Sequence, residues 1–274
     1  MNLEQINTNT ILKELPTEGH SPLLLVGSDY KMYVAKNDKG KLPPISLINE
    51  CFASFCFNNW GVLTPKIKII ELAKELIRTQ ENLSNNHKPY YYDTLCFGSE
   101  FVNNAIDVNA FLISDSKKAY NKLNNPLDLF HITLFDTWVE NDDRKPTNYN
   151  LVLQPIKDKF NIIPIDNAFI FSTMNYRYLN FDFVSASAND HLLVSDLGYL
   201  VKNNFRVTNK FINNEREYFY LCIEKCRLNF DSFMNRLSAF YTLDKDSSRN
   251  LKDFLFDAKR NNKVFEEYVF RLNQ

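Results

Sequence analysis

The 274-residue chain is 45% hydrophobic, with 32 Lys+Arg against 33 Asp+Glu for a formal net charge of -1. That apolar content excludes a disordered or fibrous chain, and the balanced charge offers no bulk attraction to nucleic acid or an anionic membrane. The five cysteines form no C-x-x-C pair and the four histidines no H-x-x-x-H spacing, which disfavours zinc, redox and disulfide frameworks.

The first sixteen residues carry Glu4 and Glu14 and no continuous apolar stretch, so they read as neither secretion signal nor membrane anchor. A cytoplasmic location is expected, with Cys222 and Cys226, one helical turn apart, as buried thiols rather than a metal pair. "PLLLV" (22–26) and "KMYVAK" (31–36), joined by the turn-like "GSDY", predict a hairpin. After the proline-marked break "KGKLPP", "ISLINECFASFCFNNWG" (45–61) repeats apolar residues at helical spacing. It stops at Gly61, a residue suited to a left-handed C-cap. "PKIKIIEL" and "TLCFGSEFV" read as extended, with the polar "RTQENLSNNHKP" between them as loop. The first hundred residues thus predict a small sheet carrying one main helix.

"PLDLFHITLFDTWVE" (126–140) starts on a proline and keeps an apolar stripe through Leu127, Phe130, Leu134, Phe135 and Trp138, which predicts a helix. It runs into the polar "ENDDRKPTNYNLVL". "YNLVL" and "FNIIPID" then predict a second hairpin whose far end delivers Asp166. From about His191 onward the periodicity is mainly helical, in "NEREYFYLCIEKCRLNF", "DSFMNRLSAFYTL" and "SRNLKDFLFDAKR". The expected fold class is α+β: a small β-rich lobe, 1–104, and a larger mainly helical lobe, 105–274, within one catalytic domain.

Asp143 and Asn148 stand five positions apart between a helix and a hairpin, and Asp166 closes that hairpin. Two carboxylates and an amide oxygen suit a hard cation such as Mg2+ that shares its remaining positions with phosphate oxygens. A carboxylate not held on the metal is placed to accept a hydroxyl proton. Asp-x-x-x-x-Asn, a hairpin, then Asp is the layout of protein kinases, which also need an upstream lysine on the phosphates. Lys36 ends an extended run, and Glu50 lies in the following helix where its carboxylate could pair with that lysine. Asp142 is the nearest rival to Asp143, but only Asp143 has the five-residue offset to Asn148. Asn150 rivals Asn148, and alternation within "NYNLVL" is expected to direct it along the hairpin. Asp136 reads as a structural carboxylate bonded to the loop, and Arg144 as a local ion-pair partner.

In order and separation, "EGHSPLLLVGSDYKMYVAK", "NECFASFCF", "FGSEFV", "FDTWVENDDRKPTN" and "IPIDNAFIF" resemble the HipA-like kinase family over roughly Leu15 to Phe171. The resemblance implies a bilobal protein-kinase-like fold and ATP- and Mg2+-dependent phosphorylation of serine or threonine in a protein substrate. By position, Asp143 is similar to the family's catalytic aspartate, Asn148 and Asp166 to its Mg2+ ligands, and Lys36 to its phosphate-binding lysine. Gly19, Ser21 and Pro22 resemble the phosphate-side loop, in which His20 is a further candidate contact and Ser21 a candidate autophosphorylation site. Glu100 and Val102 resemble the hinge that meets the adenine edge. Some relatives imply a toxin role and an antitoxin-like protein partner; direct nucleic-acid or membrane binding is not expected. The chain departs from the family's usual Asp-Arg-His-Pro-Gly-Asn at Lys145 and Thr147, and Asn167 and Ala168 replace His and Gly after the metal aspartate. These departures keep open a nucleotide-binding pseudokinase serving as an interaction module, and a small-molecule phosphotransferase stays open because the same constellation serves both acceptor classes.

Overall fold

A computed structural model describes residues 2–15, 21–39, 44–113, 116–172, 175–182, 184 and 189–274. The expected hairpin forms as β2 (Leu23–Gly27) and β3 (Met32–Lys36). It belongs to a closed barrel in the order β1, β2, β3, β5, β4, with β1 at Gln5–Glu14, β4 at Ile67–Glu71 and β5 at Cys96–Glu100. The small sheet expected from the sequence therefore closes into a barrel. Strand β1 escapes sequence reading because its Thr- and Asn-rich face stays in solvent and Ile11 is its one fully buried side chain. Its strand state comes from pairing: antiparallel to β2, and parallel to β4 through Gln5 opposite Ile69 and Asn7 opposite Glu71.

Helix α1 (Ile45–Trp60) ends where Gly61 takes φ 73° and donates its N–H back to Phe57. Apart from Ile45, Asn58 and Asn59, its side chains are buried, so α1 is a core element rather than a sheet-covering helix. Ser46, Glu50 and Ser54 recur every fourth residue and form one polar stripe along it. The other faces are aromatic. Phe55 stacks on Phe233 at 4.3 Å between ring centroids, and Trp60 lies 5.6 Å from Trp138.

Short helix α2 (Lys74–Arg78) lies between β4 and β5, and α3 (Val108–Leu112) and α4 (Ser116–Lys122) lead from the barrel to α5 (Leu127–Trp138). The second hairpin, β7 (Leu151–Ile156) and β8 (Lys159–Pro164), gains a two-residue partner in β6 (Ile106–Asp107). Its strands extend through most of the polar "QPIKDK", so the turn narrows to Lys157 and Asp158. Helices α6 (Asp196–Asn204), α7 (Asn209–Leu237), α8 (Lys245–Phe256) and α9 (Ala258–Asn273) complete the chain. Two helical segments separated in the sequence reading fuse into the 29-residue α7, while the third is cut at Asp257, which caps α9 by accepting the Arg260 N–H. Among the described residues no helix is long and apolar enough to cross a membrane.

One apolar core runs from Leu47 and Phe52 on α1 through Phe135 on α5 to Phe230, Phe254 and Phe265, while a smaller cluster around Leu25, Tyr33 and Ile70 fills the barrel. Because α1 is shared, barrel and helices should unfold together. Phe233→Ala is expected to cost about 3–5 kcal/mol. Denaturant curves read by far-UV circular dichroism and by Trp60 and Trp138 fluorescence should stay coincident; separate transitions would show that α1 does not couple the two halves.

Candidate active site

A cleft of about 700 Å³ opens between the barrel and the second hairpin, lined by Val34, Ile67 and Phe97 on one side and Ile165, Asp166 and Asn167 on the other. At its floor Lys36, last residue of β3, lies 2.6 Å from Glu50 Oε1 and 2.8 Å from Asp166 Oδ1. Lys36 and Glu50 are both buried. Burial alone would push the Lys36 ammonium towards neutrality; the carboxylates of Asp166 and Glu50 outweigh it and hold its pKa above the ordinary lysine value. The second oxygen of Glu50, Oε2, accepts the Asn167 N–H at 2.9 Å. Next to Glu50 on α1, Asn49 donates to the Ala168 carbonyl at 2.8 Å and accepts from the Tyr176 hydroxyl. Helix α1 therefore grips both the lysine and the segment that follows Asp166.

The loop after α5 is built around Asp136. This buried carboxylate accepts from Asn141 Nδ2 at 2.9 Å and from Arg144 Nη1, while the Asn141 N–H returns to the Asp136 carbonyl. Arg144 is fully buried and spends its remaining donors on Ile165 O at 3.1 Å, Asn167 Oδ1 at 2.7 Å and Asn150 O at 3.4 Å. It ties the loop to the strand end carrying Asp166, with its guanidinium closed off from solvent. Glu140, at φ 51°, turns the chain out of the helix, and its carboxylate meets Arg260 at 3.1 Å.

Asp143 sits half-buried with one amide donor on each carboxylate oxygen: Asn148 Nδ2 at 3.0 Å on Oδ1 and Asn150 Nδ2 at 2.8 Å on Oδ2. The expectation that Asn150 points along the hairpin is corrected: at φ 45° its backbone turns and brings the amide to Asp143. Asp142 faces elsewhere, accepting from Ser172 Oγ at 2.9 Å. With the Asn148 amide nitrogen committed to Asp143, the ligand it offers a cation is its carbonyl oxygen. That oxygen and the Asp166 carboxylate are each hard oxygen donors, the type taken by a divalent ion that keeps waters and phosphate ligands. Among the described residues no group of three or more His, Cys, Asp or Glu forms an all-protein metal cage.

The structure brings Lys36, Glu50 and Asp166 together, and separately Asp143 with Asn148. Pro22 lines the cleft. Gly19 and His20 lie outside the described residues. Ser21 is buried and accepts from Asn86 Nδ2 at 3.4 Å, so its hydroxyl is not presented to the cleft in this conformation. Neither Glu100 nor Val102 lines the cavity: the Glu100 side chain pairs with Lys31 at 3.3 Å and its N–H donates to the Lys66 carbonyl, whereas Ser99 and Phe97 face the space. Ser54, Thr64, Pro65 and Ser99 were missed as lining residues. For Ser54 the signal was its i, i+4 spacing from Glu50.

A family model described as HipA-like kinase matches residues 9–196. The chain belongs to the HipA-like kinase family. Its fold is similar to the crystal structure of the Helicobacter pylori proinflammatory kinase CtkA, with a TM-score of 0.56 at 11% identity over 99% of this chain and 98% of that one. The Golgi casein kinase with Mn/ADP bound is similar at a TM-score of 0.50 and 12% identity, over 98% of this chain and 74% of that chain. A further crystal structure of the Golgi casein kinase also gives 0.50 and 12%, over 97% and 73%. No curated protein sequence matches. Family and fold mark a kinase-like phosphotransferase with a β-rich N-terminal region.

Burial pushes the Asp136 carboxyl up to about 6, against the pull of Arg144 and Asn141. A carboxyl raised above its unfolded value favours folding most below about pH 4 and loses that contribution as pH rises through about 6. Asp136→Asn is therefore expected to flatten the pH dependence of unfolding free energy over that window. It should also destabilise by about 3–5 kcal/mol by leaving Arg144 unpaired. Denaturant titrations at a series of pH values check both, and an unchanged slope would remove Asp136 as the titrating group.

Proposed function

We propose that this chain is an ATP- and Mg2+-dependent kinase that transfers the γ-phosphate to a serine or threonine hydroxyl of a protein in the cytoplasm. The observation that carries the reading is the meeting of buried Lys36 and Glu50 with Asp166 on the floor of an apolar-walled cleft, with Asp143 bonded to Asn148 on the loop tied to it. In this reading the domain is bilobal: 1–104 forms the nucleotide side and 105–274 carries the base and the metal ligands. An antitoxin-like protein partner rests on family precedent.

The apolar walls from Val34, Ile67 and Phe97 suit the flat face of a purine. A divalent cation held by Asn148 and Asp166 would offset nucleotide phosphate charge, and the Golgi casein kinase with Mn/ADP bound supports that use. Glu50 orients the Lys36 ammonium, whose raised pKa keeps it charged near neutral pH. Lys36 then neutralises the negative charge that a loose transition state spreads over the phosphoryl oxygens. Asp143 accepts the hydrogen bond of the acceptor hydroxyl and takes its proton as the new O–P bond forms and the bond to the departing diphosphate breaks.

The purified protein should transfer label from γ-labelled ATP to a protein acceptor, itself included. Chelation should stop the transfer and added Mg2+ restore it. Asp143→Ala is expected to lower transfer by about 100-fold or more while ATP with Mg2+ still raises the melting temperature. Equal labelling by both proteins would remove Asp143 as the base. Label found only on a metabolite would move the acceptor to the small-molecule class, and stabilisation without turnover would make the chain a nucleotide-binding module.

A further inference from the structure

We propose that Asn150 is a positioning residue for phosphoryl transfer: it clamps the Asp143 carboxylate in the rotation that faces the acceptor hydroxyl. The proposal rests on the kinase reading of the site. Asp143 has one amide N–H on each oxygen, from Asn148 at 3.0 Å and from Asn150 at 2.8 Å. One donor leaves a carboxylate able to swing about its Cβ–Cγ bond; two donors on opposite oxygens remove that freedom. Asn148 has a second task, since its carbonyl oxygen is the end offered to a cation. Asn150 does not line the nucleotide cleft, and its amide serves the base.

The backbone of Asn150 joins the same network. Its carbonyl accepts the Ile165 N–H at 3.0 Å, one residue before Asp166, and Arg144 Nε at 3.4 Å. Base loop, Arg144 and metal-side strand thus converge on one residue. Its φ of 45° lies in the left-handed region, where glycine is the least strained choice. A purely conformational role would be served better by glycine; the asparagine supplies in addition the N–H that reaches Asp143.

This distinction makes the test. Asn150→Gly keeps the turn and the carbonyl but removes the amide, and Asn150→Asp keeps the shape but sets a second carboxylate against Asp143. For Asn150→Gly, kcat is expected to fall roughly 10- to 100-fold with KM for ATP changed by less than about twofold. Asn150→Asp should fall further, because like charges repel across that contact. Wild-type kcat in both variants would overturn the proposal. Crystal structures of wild type and Asn150→Gly give a readout independent of turnover: the Asp143 carboxylate should leave its wild-type rotamer, and an unmoved carboxylate would equally overturn it. Absence of transfer by the wild type would instead strike the kinase reading, with the rotamer still deciding the positioning role.

Discussion

The Glu50 carboxylate is the joint on which the rest of the site depends. One oxygen holds Lys36 and the other holds the Asn167 backbone N–H, so a side chain from α1 links the barrel to the segment beyond Asp166. Burying a carboxylate is costly unless it is paired and hydrogen-bonded, and here the partner of each oxygen comes from a different part of the chain. Asp166, 2.8 Å from Lys36, closes the figure from the other side of the cleft. Loss of the lysine would remove the cation shared by two carboxylates, one of them buried, so charge balance and cleft geometry are a single constraint.

The burial of α1 follows from that joint. A helix gripping Asn167 and Ala168 on one face and stacking Phe55 on Phe233 on another cannot rotate away without opening the main core. Its Ser46, Glu50 and Ser54 stripe, with Asn49 beside it, is the polar seam of a mainly apolar element. Arg144 performs the matching task below the cleft. Asp136, Asn167, Ile165 and Asn150 take its donors, so it works as an internal brace between the loop carrying Asp143 and the Asp166 strand end. Asn167 accepts from Arg144 on its side-chain oxygen and donates its backbone N–H to Glu50, so it contributes two contacts to the brace.

How much was legible depended on the range of the determining interaction. The Gly61 cap, the β2–β3 and β7–β8 hairpins and helix α5 rest on neighbours within a few residues, and local pattern found them. Strand β1 was invisible because its strand state is imposed by β2 and by β4, some sixty residues away, rather than by its own Thr and Asn side chains. The Asp-x-x-x-x-Asn spacing selected Asp143 over Asp142, and the two carboxylates do face different partners. Alternation failed at Asn150 because a positive φ breaks the two-residue period on which it relies. The cleft wall of Ser99, Thr64 and Pro65 carried no signal, since small residues in or beside a strand look alike whether or not they border a cavity.

By itself the sequence determined the chemical inventory and its order: a lysine ending a strand, a glutamate in the next helix, then Asp143, Asn148 and Asp166 around a hairpin. Spacing and residue type are local properties, and they suffice to name a phosphoryl-transfer layout. Only the tertiary structure decided which groups meet. The Lys36–Glu50–Asp166 contact, the Arg144 brace and the second clamp on Asp143 depend on backbone turns and on burial between distant segments. Those quantities arise when the chain closes on itself: desolvation makes each buried charge require a partner, and packing dictates which partner is within reach.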